Sequence, residues 1–172
     1  MVSVSSWGHR RSSVVFEDVN FKRRDYDRWS AYGQSKTANI LFAVAFDRRH
    51  RSRGVRAAAV HPGAIQTELG RHMDAGQLQN LVDRINQQLA VEGKSFQWKT
   101  IPQGAATSVW AAVVAPADEI GGRYCANCQV GQIVQDQTTI TALSDGVLPY
   151  ALDPDTAEAL WKKSEDLVGE SF

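Results

Sequence analysis

Apolar side chains recur along this chain with two different periods, and the switch between them marks its elements. Met1-Val-Ser-Val-Ser-Ser6 alternates apolar and small polar residues, the two-residue period of a strand, and breaks at Gly8. From Ala31 to about Arg51, the apolar positions Ala38, Leu41, Phe42, Ala45 and Phe46 recur at three and four, which predicts an amphipathic helix of about five turns. Ser30 is suited to cap its first turn. The run Arg48-Arg-His-Arg51 suits the negative pole of its last turn, and Gly54 ends it. Val55 to Val60 is a short, mainly apolar run and predicts a buried parallel strand, stopped by Pro62-Gly63.

The rest of the chain continues in the same manner. Residues 68–100 carry Met73, Leu78, Leu81, Val82, Ile85, Leu89, Phe96 and Trp98, and predict one or two helices with flexible connections around Gly70, Gly76 and Gly93. Pro102 to about Ala115 predicts an alanine-rich helix that Pro116 ends, its small residues allowing close packing on a sheet. Gly121-Gly122-Arg-Tyr-Cys125 predicts a strand after a turn, the last of the sheet, and Gln129 to Gly146 reads as polar and irregular. Asp153-Pro154 opens a final helix with Ala157, Leu160, Trp161, Ser164 and Leu167 along one face. Between the first strand and the long helix, Trp7 to Ser30 carries His9, Arg10, Arg11, Arg23, Arg24, Asp25 and Asp27. Acids interleave with bases there and aromatics are few, so a solvated loop is expected rather than a phosphate or nucleic-acid patch, with Val14, Val15 and Phe16 pinning it to the body.

Composition narrows the classes. A chain of 172 residues suits one domain and can bury a substantial core. Nineteen basic residues balance nineteen acidic ones, so no global field points to nucleic acid or a membrane surface. No apolar run approaches the ~18 residues of a membrane span, and Met1 leads directly into a strand rather than a signal peptide, so a cytoplasmic location is expected. Cys125 and Cys128 are the only cysteines. No second pair or matched histidine set completes a tetrahedral site around them, so reduced structural thiols and no bound metal are expected.

The candidate chemistry lies in Tyr32-Gly-Gln-Ser-Lys36. A spacing of i, i+4 puts the phenol and the ammonium on one helical face, one turn apart. A phenol of ordinary pKa near ~10 is a poor proton donor or acceptor at neutral pH, and a neighbouring ammonium favours its ionised form. Alone, the pair could as well be a solvated helix face. Its context is a strand ending in Ser5-Ser6 and another ending in His61-Pro62-Gly63 with Thr67 beyond. In open α/β sheets, ligands bind outside the carboxyl ends of strands, where Ser6 and His61 to Thr67 would both lie. His61 is read as structural, and Thr67 is equally suited to cap a following helix.

Taken in order, Asp18-Val-Asn20, Ala31-Tyr-Gly-Gln-Ser-Lys-Thr-Ala-Asn-Ile-Leu-Phe42, His61-Pro-Gly63, Gln103-Gly-Ala-Ala106, and Tyr150-Ala-Leu-Asp153 with Leu160-Trp161 resemble the short-chain dehydrogenase/reductase family, in its retinol-dehydrogenase-like branch. The resemblance covers nearly the whole chain and implies the C-terminal part of a Rossmann-like, doubly wound parallel α/β sheet, one partial domain over 1–172. No G-x-G-x-x-G turn occurs in these residues, so the Gly-rich nucleotide-binding half is expected to be absent. By resemblance, the activity is hydride transfer between NAD(P), NADP favoured over NAD, and a small-molecule carbonyl or alcohol of apolar character. Ser6, Tyr32 and Lys36 would be catalytic, with Ser5 the lesser candidate for the serine. Tyr32, Lys36, Pro62, Gly63, Ile65 and Thr67 would hold the cofactor, with the backbone near Ala64 and Ile65 and the Thr67 hydroxyl at its nicotinamide amide, and residues 68–100 would cover the substrate. Part of the long helix faces a partner subunit in that family, which allows a homo-oligomer. Two other readings stand beside this one: a non-catalytic remnant or dimerising module, and a chain whose start is placed too far downstream. An open apolar sheet edge, prone to pair with other chains, is expected at the first strand.

Overall fold

The computed structural model describes residues 1–68, 75–91, 93–135 and 144–172. Gly70 and Met73 of the expected helical segment lie outside these residues, as does part of the irregular stretch 129–146. In chain order the elements are β1 (Val2–Val4), α1 (Arg28–His50), β2 (Ala58–His61), α2 (Ala75–Ala90), α3 (Ile101–Val109), α4 (Ala117–Ile120), β3 (Tyr124–Ala126), β4 (Gln129–Val130) and α5 (Pro154–Val168).

The sheet runs β1-β2-β3-β4. The first three strands are parallel, with Val2 opposite Ala58 and Ala59 opposite Tyr124, and β4 turns back antiparallel to β3. The strand predicted to be last is therefore followed by one more. The two are joined through Asn127 and Cys128, whose φ angles of 50° and 57° make a tight two-residue turn. Asn127 is the usual first residue of such a turn, but Cys128 stands where glycine announces it in sequence, which is why the hairpin was hidden there.

Both faces of the parallel strands are covered. Ala57 and Ala59 of the β2 region, with Tyr124 and Ala126 of β3, pack against Ile40 and Ala43 of α1. The alternate residues Ala58, Val60 and Cys125 pack with Ala111 and Ile120 on the opposite side. This is why the β2 sequence shows no polar alternation: a parallel strand between two helical layers has no solvent face. β1 has β2 as its one strand neighbour among the described residues, and Val4 is 50% exposed there.

α1 starts earlier than its apolar period indicates. Asp27 is the cap, its carboxylate accepting from the Ser30 backbone N–H at 2.8 Å and from the Ser30 hydroxyl at 2.7 Å. Ser30 thus serves the cap that it was expected to be. At the other end Gly54 takes a left-handed conformation, φ 76°. Asp47 joins α1 to the start of β2, accepting from Arg56 Nε at 2.9 Å and from the Ala57 N–H at 2.9 Å. Thr100 and Gln103 form a reciprocal capping box before α3, and the helix continues through one π-helical turn, Trp110–Val114, before Pro116. Gly76 lies within the first turn of α2 rather than in a connection.

Candidate active site

The tip of β1 is stitched to α1 by three side chains. Ser3 Oγ donates to the Asn39 carbonyl at 3.0 Å and Ser5 Oγ to the Lys36 carbonyl at 2.7 Å, while Asn39 Nδ2 donates to the Val4 carbonyl at 2.8 Å. Ser5 is buried and its hydroxyl is spent on this seam. Ser6 points the other way along the alternation and is half-buried. It caps a 3-10 turn, Trp7–Arg11, with Oγ accepting from the Gly8 N–H at 3.0 Å. A hydroxyl that accepts there keeps its own proton for another acceptor.

Tyr32 and Lys36 occupy adjacent turns of α1, as their spacing requires. The Lys36 ammonium lies 5.5 Å from the centre of the Tyr32 ring, and its Nζ donates to the Val4 carbonyl at 3.4 Å. Burial lowers the Lys36 pKa from its ordinary value. What brings the serine and the phenol together is Gly8. A β-carbon built there would stand 2.6 Å from Tyr32 Cε1 and 3.4 Å from Ser6 Oγ, so the hydroxyl and the ring edge lie within about 6 Å of each other. Gly33 performs the complementary service from α1: a β-carbon there would meet Arg11 Cβ at 2.9 Å and the Gly8 carbonyl at 3.0 Å. The 3-10 turn can sit this close to the helix because both positions lack a side chain.

The turn itself corrects the solvated-loop expectation. His9 is fully buried and Arg10 nearly so. His9 Nδ1 donates to the Ser6 carbonyl at 2.8 Å and its Nε2 accepts from the Leu148 N–H at 3.3 Å, which defines a neutral ring with the proton on Nδ1. Its pKa is lowered to about 4, chiefly by burial, with the Ser6 carbonyl partly opposing. Arg10 donates to the Ser144 carbonyl at 2.5 Å and the Gly146 carbonyl at 2.9 Å. These partners lie more than 130 residues away in the chain, so no local pattern reveals them. His9 and Gly8 are the functional neighbours that sequence reasoning passed over; the signal in hand was the glycine two residues after the Ser5-Ser6 strand tip.

Beyond β2, Pro62, Gly63, Ala64 and Ile65 are half-buried and Thr67 is exposed. Gly63 has φ 93°, which requires glycine, and Ile65 packs its branch against Gly104 at the start of α3. His61 is 9% exposed, with the Gly63 N–H 3.4 Å from its Nδ1 and Trp7 edge-on at 6.4 Å. Its pKa falls to about 3, first through burial and then through the nearby Lys99 charge. A cleft of about 80 Å³ opens at this turn between Trp7, His61, Gly63, Phe96 and Lys99. A larger one of about 400 Å³ lies on the far side of α1, lined by Val19, Phe21, Tyr26 and Leu160, and holds none of the residues described above. Size does not select the site here. Cys125 is buried with its thiol pushed up to about 11 by burial, Cys128 is exposed, and both are free. Among the described residues no group of three or more His, Cys, Asp or Glu side chains could hold a metal, and no helix is long and apolar enough to cross a membrane.

A mostly parallel sheet between helical layers, with hydroxyl, phenol and ammonium groups gathered at the carboxyl end of one strand and a glycine turn at the end of the next, defines a protein of the open α/β class. No family model matches the chain. It is 39% identical over 168 residues to a protein of Streptomyces lividans named "probable oxidoreductase", a match covering 98% of this chain and 54% of that one. It is 35% identical to the short-chain dehydrogenase/reductase prx1 of Penicillium rubens over 95% of this chain and 45% of that protein. With retinol dehydrogenase 14 of Mus musculus it shares 32% identity over 98% of its length and 44% of the relative's. Among solved structures, that of an uncharacterised protein from Mycobacterium paratuberculosis aligns with a TM-score of 0.55 and 28% identity, covering 99% of this chain and 50% of the other. The chain belongs to the short-chain dehydrogenase/reductase family and matches its C-terminal part. It spans about half the length of the curated relatives it matches.

Proposed function

We propose that this chain supplies the reaction end of an oxidoreductase that transfers a hydride between NAD(P) and an apolar carbonyl or alcohol. The observation that carries the reading is the convergence at Gly8 of the Ser6 hydroxyl and the Tyr32 ring, with the Lys36 ammonium beside that ring. Tyr32 is the general acid/base, giving its phenolic proton to the substrate oxygen or taking it back. Lys36 places its ammonium beside the phenol ring, one turn further along α1. Ser6, whose oxygen already accepts from Gly8, holds the substrate oxygen with its free proton. His9 acts through Ser6, fixing the carbonyl of that residue and with it the strand tip.

The nicotinamide end of the cofactor would lie at the turn Pro62-Gly63, held together with Ile65 and Thr67 and the side chains of Tyr32 and Lys36. When bound, the group supplies the hydride. The sequence holds no Gly-rich turn for the pyrophosphate, so these residues serve the reacting end alone. α2, which packs Ile85 and Leu89 against Trp7 and Phe96, would cover the substrate together with the strand-like stretch through Lys99.

The test is a titration of the purified chain with NADPH and NADH by cofactor fluorescence, followed by turnover of apolar aldehydes and ketones. Tyr32→Phe is expected to lower turnover by at least roughly 10²-fold while cofactor affinity stays within about twofold. Unchanged turnover in Tyr32→Phe, or no cofactor binding by the chain, would overturn the reading.

A further inference from the structure

Resting on that reading of this face, we propose that Lys99 is the anion-binding residue of the cleft at the Gly63 turn, taking a phosphate or carboxylate oxygen of the bound ligand. Its position is fixed by backbone pairing: Lys99 N donates to the Ala64 carbonyl at 2.9 Å, and Ile65 and Lys99 form a parallel bridge. The side chain then runs directly across Gly63. A β-carbon on that glycine would meet Lys99 Cδ, Cε and Nζ at 2.7, 2.8 and 2.9 Å, so the turn is glycine for the passage of the lysine as well as for its own φ.

The ammonium ends on a prepared acceptor. Nζ donates to Asn127 Oδ1 at 2.5 Å, and the amide is oriented from its other side by Nδ2, which donates to both oxygens of Asp145 at 2.9 and 2.7 Å. Asn127 reaches this position because it opens the β3–β4 turn with φ 50°, a conformation that nonglycine residues hold at a cost and that is enriched at sites of function. Asp145 is the obvious counter-ion; it lines the same cleft and is linked to Lys99 through Asn127 rather than directly. It accepts from Asn127 and, at 3.4 Å, from Gln129, and Arg10 grips the carbonyls of Ser144 and Gly146 on either side of it, close enough for the two charges to couple. Among the described residues no carboxylate pairs with Lys99. An ammonium offers three protons and Asn127 takes one. The neighbouring His61 is held neutral, chiefly by burial and partly by this charge, and the cleft lining joins the Lys99 ammonium to the Asp145 carboxylate through Asn127. Its volume of about 80 Å³ accommodates an anionic head group against Trp7 and Phe96 rather than a whole dinucleotide.

The anion has two possible sources, the phosphate of a nicotinamide nucleotide or a carboxylate on the substrate, and paired probes separate them. The full chain, Lys99→Met and Lys99→Arg are titrated calorimetrically with nicotinamide mononucleotide against nicotinamide riboside, and with benzoate against benzyl alcohol, with thermal unfolding followed in parallel. The parent chain is expected to bind the anionic member of one pair at least roughly tenfold tighter than the neutral one, Lys99→Arg to retain that preference, and Lys99→Met to lose it. A preference in the first pair assigns the anion to the cofactor; in the second, to the substrate. No preference in either pair, or a preference that survives in Lys99→Met, overturns the proposal. The Lys99 outcome is read from binding by the parent chain and the two Lys99 variants without any turnover, so failure of the oxidoreductase reading, which is seen in turnover, is distinguishable from failure of the Lys99 assignment.

Discussion

Replacing Gly8 by alanine tests how closely the site is built, because one methyl group is inserted between the two groups argued to act together. Gly8 is not among the residues with positive φ, so its backbone accepts alanine, and the loss of chain entropy in the unfolded state would by itself favour the folded form by about 0.4–1 kcal/mol. The penalty is steric. The new carbon stands 2.6 Å from Tyr32 Cε1 and 2.9 Å from Cδ1, where ordinary contacts begin at 3.4 Å, so the ring edge must retreat by about 0.8 Å. A displacement of about 1 Å in a reacting group costs on the order of 10²-fold in rate, or ~2.7 kcal/mol of barrier. Overpacking costs about 1–3 kcal/mol of stability, offset in part by the entropic gain. The expected result is a turnover loss near 10²-fold with a small decrease in urea midpoint. On a Tyr32→Phe background, where the phenol is already gone, the same alanine should add no further loss of turnover. Gly8→Ala with full activity, or with the same fractional loss on both backgrounds, would refute the placement of the ring against this turn.

Gly33→Ala sets a helix gain of about 1 kcal/mol against collisions at 2.9–3.0 Å with Arg11 Cβ, the Gly8 carbonyl and the Ser12 N, two of them backbone atoms. The collisions should win, giving a net loss of about 1–2 kcal/mol in denaturant titration; a more stable variant would show that the turn is not seated on α1. His9 makes the fold acid-sensitive in a defined window. Its folded pKa of about 4 lies below the ordinary 6.5, so the unfolded chain takes up the proton first. This stability is complete above pH 6.5 and is lost as the pH falls toward 4, by about 3 kcal/mol in all. His61 loses its share over the same range and on to about 3. The urea midpoint of the parent chain should therefore fall steeply between pH 6.5 and 4 and that of His9→Asn less steeply; parallel curves would contradict the buried neutral assignment. Cys128→Gly relieves a φ of 57° in the β3–β4 turn and should stabilise by about 1 kcal/mol, visible as a higher thermal midpoint, whereas a lower midpoint would mean the thiol makes a contact worth more than the strain.

The pairing of Tyr32 with Lys36 was legible in the sequence because helix geometry alone decides it, whereas the preference for Ser6 over Ser5 came with the family resemblance; the structure turns Ser5 into the seam with α1. The parallel strand at Ala58–His61 was legible from the apolar run that ends at Val60. What stayed hidden depends on partners distant in the chain. His9 and Arg10 sit in a stretch whose charge density reads as solvated, yet the carbonyls from Ser144 to Gly146 and the N–H of Leu148 satisfy them in the interior. Asp27 and Ser30 are both good caps, and local pattern cannot choose between them; the carboxylate accepts two hydrogen bonds where the hydroxyl would accept one. Lys99 was invisible as a site residue because its role follows from a bridge to Ile65 and from a turn built on two nonglycine residues with positive φ.

The account depends on Ser6 and Tyr32 acting on one and the same substrate oxygen, and a double-mutant cycle of Ser6→Ala and Tyr32→Phe on turnover tests this most directly. Groups that work as a unit are non-additive, so the double variant is predicted to turn over no more slowly than Tyr32→Phe alone, within about threefold. Losses that multiply across the two substitutions would mean that the hydroxyl and the phenol act independently, and would contradict the site described.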